Sequence, residues 1–201
     1  VRDFANELTV SKGPLAGQKF NFFPWQWEDI IKPLFGTLKK NGTRQYRFCY
    51  CEVPKKSGKT PLSAVLGLYG LFADKEISPE VYIAAAEREQ AGYCYHYAEQ
   101  MVKDNRVLSA RSKLIPSKKR IVNFKNNGFL QVLSAEAYSK HGINPSMVII
   151  DELHAHQNDD LYYTLTSGTH YARQQQIVFI MSTAGVWNKE HIWWKIRSIA
   201  T

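Results

Sequence analysis

Val53-Pro54-Lys55-Lys56-Ser57-Gly58-Lys59-Thr60 lies between two apolar runs and carries most of a phosphate-binding loop. The spacing G-x-x-x-x-G-K-[ST] is met in its second half, while Val53 replaces the first glycine. That second half holds the chemistry. Gly58 lets the backbone approach a phosphate oxygen with no Cβ in the way. Lys59 reaches the β- and γ-phosphates, and the Thr60 hydroxyl binds Mg²⁺. Pro54, Lys55, Lys56 and Ser57 complete the nucleotide-binding loop.

Both flanks agree with this reading. Residues 46–53 are aromatic and β-prone and predict the strand that delivers the loop. Residues 60–73 predict a helix in which Leu62, Val65, Leu66, Leu68, Tyr69, Leu71 and Phe72 leave nearly every face apolar. Such a helix must be buried, here against a sheet. Pro61 falls in its first turn, where a missing N–H is harmless. Phosphates would then meet the free amides and the dipole of a helix N-terminus.

Further along, Met147 to Ile150 form a continuously apolar run of the kind found in central parallel strands, ending in Asp151-Glu152. An aspartate there is placed to hold Mg²⁺ opposite the threonine, and the glutamate to orient an attacking water. The pair points to hydrolysis rather than binding alone. A third apolar run, Ile177 to Met181, ends in Ser182-Thr183-Ala184-Gly185. Set beside the phosphate-loop strand, the two hydroxyls could sense the γ-phosphate and pass its loss along the strand.

The order of these motifs resembles the ATPase domain of the large terminase subunit of tailed bacteriophages, in the branch typified by phage HK97. The resemblance runs from about residue 20 to the end, through Pro24-Trp25-Gln26, the loop at 53–60, Gln90-Ala91, Asn144-Pro145, the run from Val148 to His156, and Ser182 to Gly185. It implies a P-loop NTPase fold of RecA/ASCE-like type, with ATP and Mg²⁺ as cofactors. Gln26 matches the adenine-recognition glutamine, with Phe23 and Trp25 as neighbours of the base. Lys55 stands where the family has a basic residue that contacts the γ-phosphate, and it joins Lys59 and Glu152 as catalytic. Thr60 and Asp151 hold the metal, and Ser182, Thr183, Ala184 and Gly185 form the coupling motif. A cation supplied by a neighbouring subunit is also implied, with Lys140 and Arg173 as candidates. The implied work is translocation of double-stranded DNA into the procapsid. The implied partners are the portal protein, the small terminase subunit and further copies in a ring, in the host cell cytoplasm. Large terminases also carry a nuclease domain, so a chain ending at Thr201 reads as a fragment.

Length and composition fit. Alternating strands and helices over 201 residues predict one α/β domain with a mainly parallel central sheet flanked by helices. Expected strands are 46–53, 81–86, 120–124, 129–133, 147–151 and 177–183. Expected helices are 25–38, 60–73, 88–104, 159–167 and 189–199. Asn126-Asn127 before Gly128 predicts a hairpin turn. Residues 1–20, with Gly13, Pro14 and Gly17, read as a loose arm before the ATPase domain at 21–201.

The net charge of +8 concentrates at 103–125, where Lys103, Arg106, Arg111, Lys113, Lys118, Lys119, Arg120 and Lys125 face only Asp104. No base-reading motif accompanies it, so it suits sequence-independent, salt-sensitive contact with phosphate backbones. Cys49, Cys51 and Cys94 lack the spacing of a metal site or disulfide framework. His154-Ala155-His156 lacks a third ligand and reads as the segment after the strand. The helix at 60–73 is too short to cross a bilayer.

Two rival readings stand beside this one. A helicase or repair translocase would share all the motifs and continue into a second motor domain. A DNA-binding module with a relic loop would keep the basic patch, with little reason to keep Lys59, Thr60, Asp151 and Glu152 together.

Overall fold

The apolar runs become the centre of one sheet. The computed structural model describes residues 1–134, 142–167 and 173–200. In chain order its elements are α1 (Arg2–Asn6), a π-helical turn (Gln26–Ile31), α2 (Lys32–Gly36), β1 (Phe48–Glu52), α3 (Lys59–Phe72), β2 (Glu80–Ala85), α4 (Arg88–Lys103) and α5 (Arg106–Ser109). There follow β3 (Ser112–Ile115), β4 (Arg120–Asn123), β5 (Gly128–Ser134), β6 (Met147–Asp151), α6 (Asp160–Thr166), β7 (Ile177–Ser182) and α7 (Ile192–Ala200). The seven-stranded sheet has the order β1-β7-β6-β2-β5-β4-β3. The strands from β1 to β5 in that order are parallel, and β4 and β3 extend the sheet antiparallel.

Parallel strands covered on both faces must be apolar throughout, and β6 and β7 are buried at every position. Side chains leave them with period two. Ile83, Ile149, Phe179 and Met181 meet α3 and α4 on one face. Tyr82, Val148, Ile150 and Ile180 meet α6 and α7 on the other. Helix α3 presses unusually close to the sheet. A Cβ on Gly67 would stand 2.7 Å from Leu130 Cδ1, and one on Gly70 would stand 2.9 Å from Met147 Sδ.

The fold departs from expectation in places that have physical reasons. The helix expected over 25–38 is split into the π turn and α2. Pro33 has no N–H to donate back, and the preceding Lys32 N–H bonds at the wider spacing to Trp27 O. Strand β3 and helix α5 were not foreseen, because elements of four residues carry too little periodicity to read. The first twenty residues are not a loose arm. Ala5, Leu8, Val10 and Phe20 are buried in the α3 side of the core, and Thr9 bridges Lys19. The hairpin at β4–β5 is as expected. Asn127 takes φ 55°, and Asn126 Oδ1 accepts from Gly128 N.

The basic run extends from the end of α4 through α5 and the β3–β4 edge to the β4–β5 turn, and Lys103, Arg106, Arg111, Lys113, Lys118 and Lys125 are exposed along it. Lys119 and Arg120 are half-buried, the latter 3.5 Å over the Phe129 ring. All three cysteines are free thiols. Burial pushes Cys49 up to about 12 and Cys51 to about 11, as inert packing groups. Among the described residues, no helix is long and apolar enough to cross a membrane.

Candidate active site

The carboxyl ends of β1, β7 and β6 sit side by side, and main-chain bonds tie them together. Val53 N donates to Ser182 O at 2.9 Å, and Glu152 N donates to Met181 O at 2.8 Å. The end of β7 therefore bridges the phosphate loop on one side and Asp151-Glu152 on the other, with Ser182 directly across from Glu52.

Gly58 opens α3 with φ 81°, a left-handed conformation that glycine takes without strain. Thr60 occupies the first turn beyond it. Lys59 is buried, and its ammonium has three acceptors. Val53 O lies at 3.3 Å, Pro54 O at 3.2 Å and Glu152 Oε1 at 3.3 Å. Lys55 and Lys56 are exposed at the loop rim, and Ser57 Oγ closes the loop by donating to Pro54 O at 2.8 Å.

Asp151 is fully buried. Its Oδ2 accepts from Gln90 Nε2 at 3.4 Å and the Cys94 thiol at 3.5 Å, while Oδ1 has no partner. Burial, with Glu152 adding to it, raises this carboxyl to about 6. An orphaned, desolvated carboxylate oxygen is the donor a hard divalent cation requires, so Asp151 with the Thr60 hydroxyl fits Mg²⁺.

Glu152 itself is in the left-handed region at φ 53°, an arrangement that costs a non-glycine residue roughly 1 kcal/mol. Its Oε2 accepts from Thr183 N at 3.2 Å and Thr183 Oγ1 at 3.3 Å, and His154 Nδ1 stands 3.2 Å away. Burial lowers the His154 pKa against the pull of Glu152. His156 is buried and holds the turn by donating from Nε2 to Asp151 O at 3.2 Å.

A cleft of about 840 Å³ opens over the loop. Its floor is Gly58, Lys59, Thr60 and Glu152, and its walls are residues 10–24 and the rings of Tyr93 and Tyr97. Gln26 is only 2% exposed. Its Oε1 accepts from Phe23 N at 3.0 Å, and its Nε2 faces Gly58.

The structure thus brings together Gln26, the loop from Pro54 to Thr60, Asp151, Glu152, Ser182 and Thr183. Ala184 and Gly185 continue along a smaller cavity beside His154. Arg173 lies elsewhere, at the amino ends of the strands. Its guanidinium is engaged by Glu76, Ile77 O, Ser78 O and Asn144, so the side chain expected to act on a neighbour is committed within its own chain. Lys140 lies outside the described residues. Sequence reasoning missed four contributors: the wall at 10–20, the Tyr93 and Tyr97 rings, Gln90 against Asp151, and His154. Two of them left a signal: Gln90 in the Gln90-Ala91 pair, and His154 two residues beyond Glu152 on a turn that must bend sharply.

The family described as terminase large subunit, ATPase domain, matches residues 24–195. The large terminase subunit of Enterobacteria phage HK97 is 30% identical over 144 residues, which are 71% of this chain and 27% of that protein. The crystal structure of the HK97 large terminase matches with a TM-score of 0.79 at 24% identity, covering 99% of this chain and 40% of that one. The ATPase domain of the Thermus phage P74-26 large terminase matches with a TM-score of 0.58 at 16% identity, covering 80% of this chain and 70% of that one. Both structural likenesses concern the fold alone.

Proposed function

We propose, since this chain belongs to the family of terminase large subunit ATPase domains, that it hydrolyses ATP with Mg²⁺ and uses the reaction to translocate double-stranded DNA. The observation that carries the chemistry is the pair of buried Lys59 and half-buried Glu152 beside an Asp151 oxygen with no partner. A buried cation and a half-buried carboxylate at the floor of a cleft are costly unless a ligand redistributes them.

Lys59 exchanges Glu152 for the β- and γ-phosphates, and the loop amides from Lys55 to Thr60 cradle the anion. Gln26 and Phe23 border the base, and Lys55 reaches over the γ-phosphate. Thr60 and Asp151 would hold Mg²⁺, which would supply neutralisation of the charge on the phosphates. Glu152, released from Lys59, orients a water in line with the γ-phosphorus and accepts its proton. Ser182 to Gly185 follow the state of the phosphates. Duplex DNA lies along the exposed lysines and arginines of α5 and the β3–β4 edge. The working form is a ring of copies at the portal, with the small terminase subunit, in the host cell cytoplasm. The family assignment favours this over a helicase.

The deciding experiment is ATP turnover against protein concentration, with and without duplex DNA, with Glu152→Gln as control and nucleotide binding measured in parallel. Turnover that rises with concentration or DNA and vanishes in Glu152→Gln is expected. Absence of ATP binding overturns the reading. Replacing Lys113 and Lys118 with alanine should lower the salt dependence of DNA binding by roughly one phosphate contact each.

A further inference from the structure

We propose that His154 is the positioning residue that ties the carboxylate of Glu152 to the Ser182–Gly185 turn, so that the turn reports where Glu152 points. The inference rests on Glu152 being the catalytic carboxylate.

Proton accounting around the ring carries it. Ser182 Oγ donates to Thr183 O at 2.9 Å, and Thr183 Oγ1 donates to Glu152 Oε2 at 3.3 Å. With those protons placed, Ser182 Oγ has only lone pairs left for His154 Nδ1 at 3.0 Å, and Glu152 Oε2 has only lone pairs at 3.2 Å. Nδ1 therefore carries the hydrogen, and one N–H faces Ser182 Oγ and Thr183 Oγ1 (3.3 Å, with Nε2 3.2 Å from the same hydroxyl) at the end of β7, and Glu152 Oε2 just past the end of β6. It can serve one of them well. Which one depends on Glu152, and Glu152 is held on its other oxygen by Lys59 at 3.3 Å. When Lys59 turns to a phosphate, the carboxylate is freed on that side and the share of the N–H passing to Ser182 changes.

Packing makes the change felt. A Cβ on Gly185 would stand 2.8 Å from His154 Cβ, so the turn rests directly on this residue. Beyond the ring lies a cavity of about 370 Å³, bounded also by His191 and Trp193, which leaves space for the imidazole to rotate. The main chain adds a fixed anchor, His154 N donating to Ser182 Oγ at 3.3 Å.

The test compares the parent chain with His154→Ala, His154→Asn and Glu152→Gln. Three quantities are read: ATP affinity, kcat, and ATP-induced change in amide hydrogen exchange at 182–185. His154→Ala should bind ATP as the parent does, lose roughly ten- to a hundredfold in kcat, and lose the exchange change at 182–185. His154→Asn, which keeps an N–H near the Nδ1 position, should recover most of both. Parental kcat and a parental exchange change in His154→Ala overturn the proposal, as does His154→Asn behaving like His154→Ala. Where parental turnover is too slow to read, the exchange arm decides. Equal turnover by Glu152→Gln and the parent overturns instead the catalytic reading beneath it.

Discussion

Charge is buried at both ends of the parallel strands, and the two ends treat it in opposite ways. At the amino ends, Arg44 pairs with Asp74 and also donates to Gln175 O, while Arg173 satisfies Glu76, two carbonyls and Asn144. At the carboxyl ends, Asp151 keeps one oxygen without a partner, and Glu152 is shared among Lys59, Thr183 and His154. Saturated charge holds a structure; charge with spare capacity waits for a ligand. Lining a cleft is what separates the second case from a defect.

The sharpest way to break this contrast is by turnover. Glu152→Gln should lower kcat by roughly 10²–10⁴-fold with ATP binding intact, whereas Arg173→Ala should leave the kcat of the folded fraction unchanged. A fall in kcat for Arg173→Ala, rescued by mixing with parent chain, would give that residue a role between subunits.

Stability should show the reverse order. Arg44→Ala strands Asp74 in the core and should destabilise the chain by about 3–5 kcal/mol in denaturant unfolding. Asp151→Asn should instead stabilise the nucleotide-free chain at neutral pH by about 2 kcal/mol, since it removes a desolvated charge with no cation. It should also abolish any stabilisation by Mg²⁺ with ATP. Destabilisation by Asp151→Asn would mean that the aspartate is structural.

Acidity sharpens the same point. Burial raises the carboxyls of both Asp74 and Asp151 to about 6. A carboxyl raised in the folded state weakens folding as it ionises. The contribution of these groups should therefore be full below about pH 4 and be lost as pH rises through about 6. Asp151→Asn should flatten part of that fall.

The smallest effect is expected at the turn. Gly185→Ala should leave ATP affinity alone and, by pressing on His154, lower kcat by a few-fold, roughly 1 kcal/mol in activation free energy.

How much of this was legible in the sequence follows from how each feature is encoded. Strands β6 and β7 and helix α3 announce themselves because burial forces long apolar runs, the edge strand β1 does so by its β-prone aromatics, and Gly58-Lys59-Thr60 and Asp151-Glu152 mark their ends. The cleft wall at 10–20 was illegible. Its buried Val10 and Phe20, and Leu8 just before them, are spread among glycines and lysines with no single period, and only tertiary packing gathers them. Gln90 and Cys94 meet Asp151 from a helix remote in sequence, which no local spacing encodes. Arg173 looked available because a lone arginine before a strand does not reveal the carbonyls that surround it.

Gly67 and Gly70 set how compliant the mounting of the phosphate loop is. With no side chains between them and Leu130 or Met147, α3 lies against the sheet at near-backbone distance, and dense contacts of that kind yield little under load. The opposite bank is different. Past Gly185 the chain runs to Val186 and Trp187, which are 86% and 79% exposed, with the Trp187 ring held against Trp194 at 4.6 Å and otherwise facing solvent. A nucleotide gripped between a stiff mount and a soft one moves the soft one. The direction of any stroke would thus be written in two missing methyl groups.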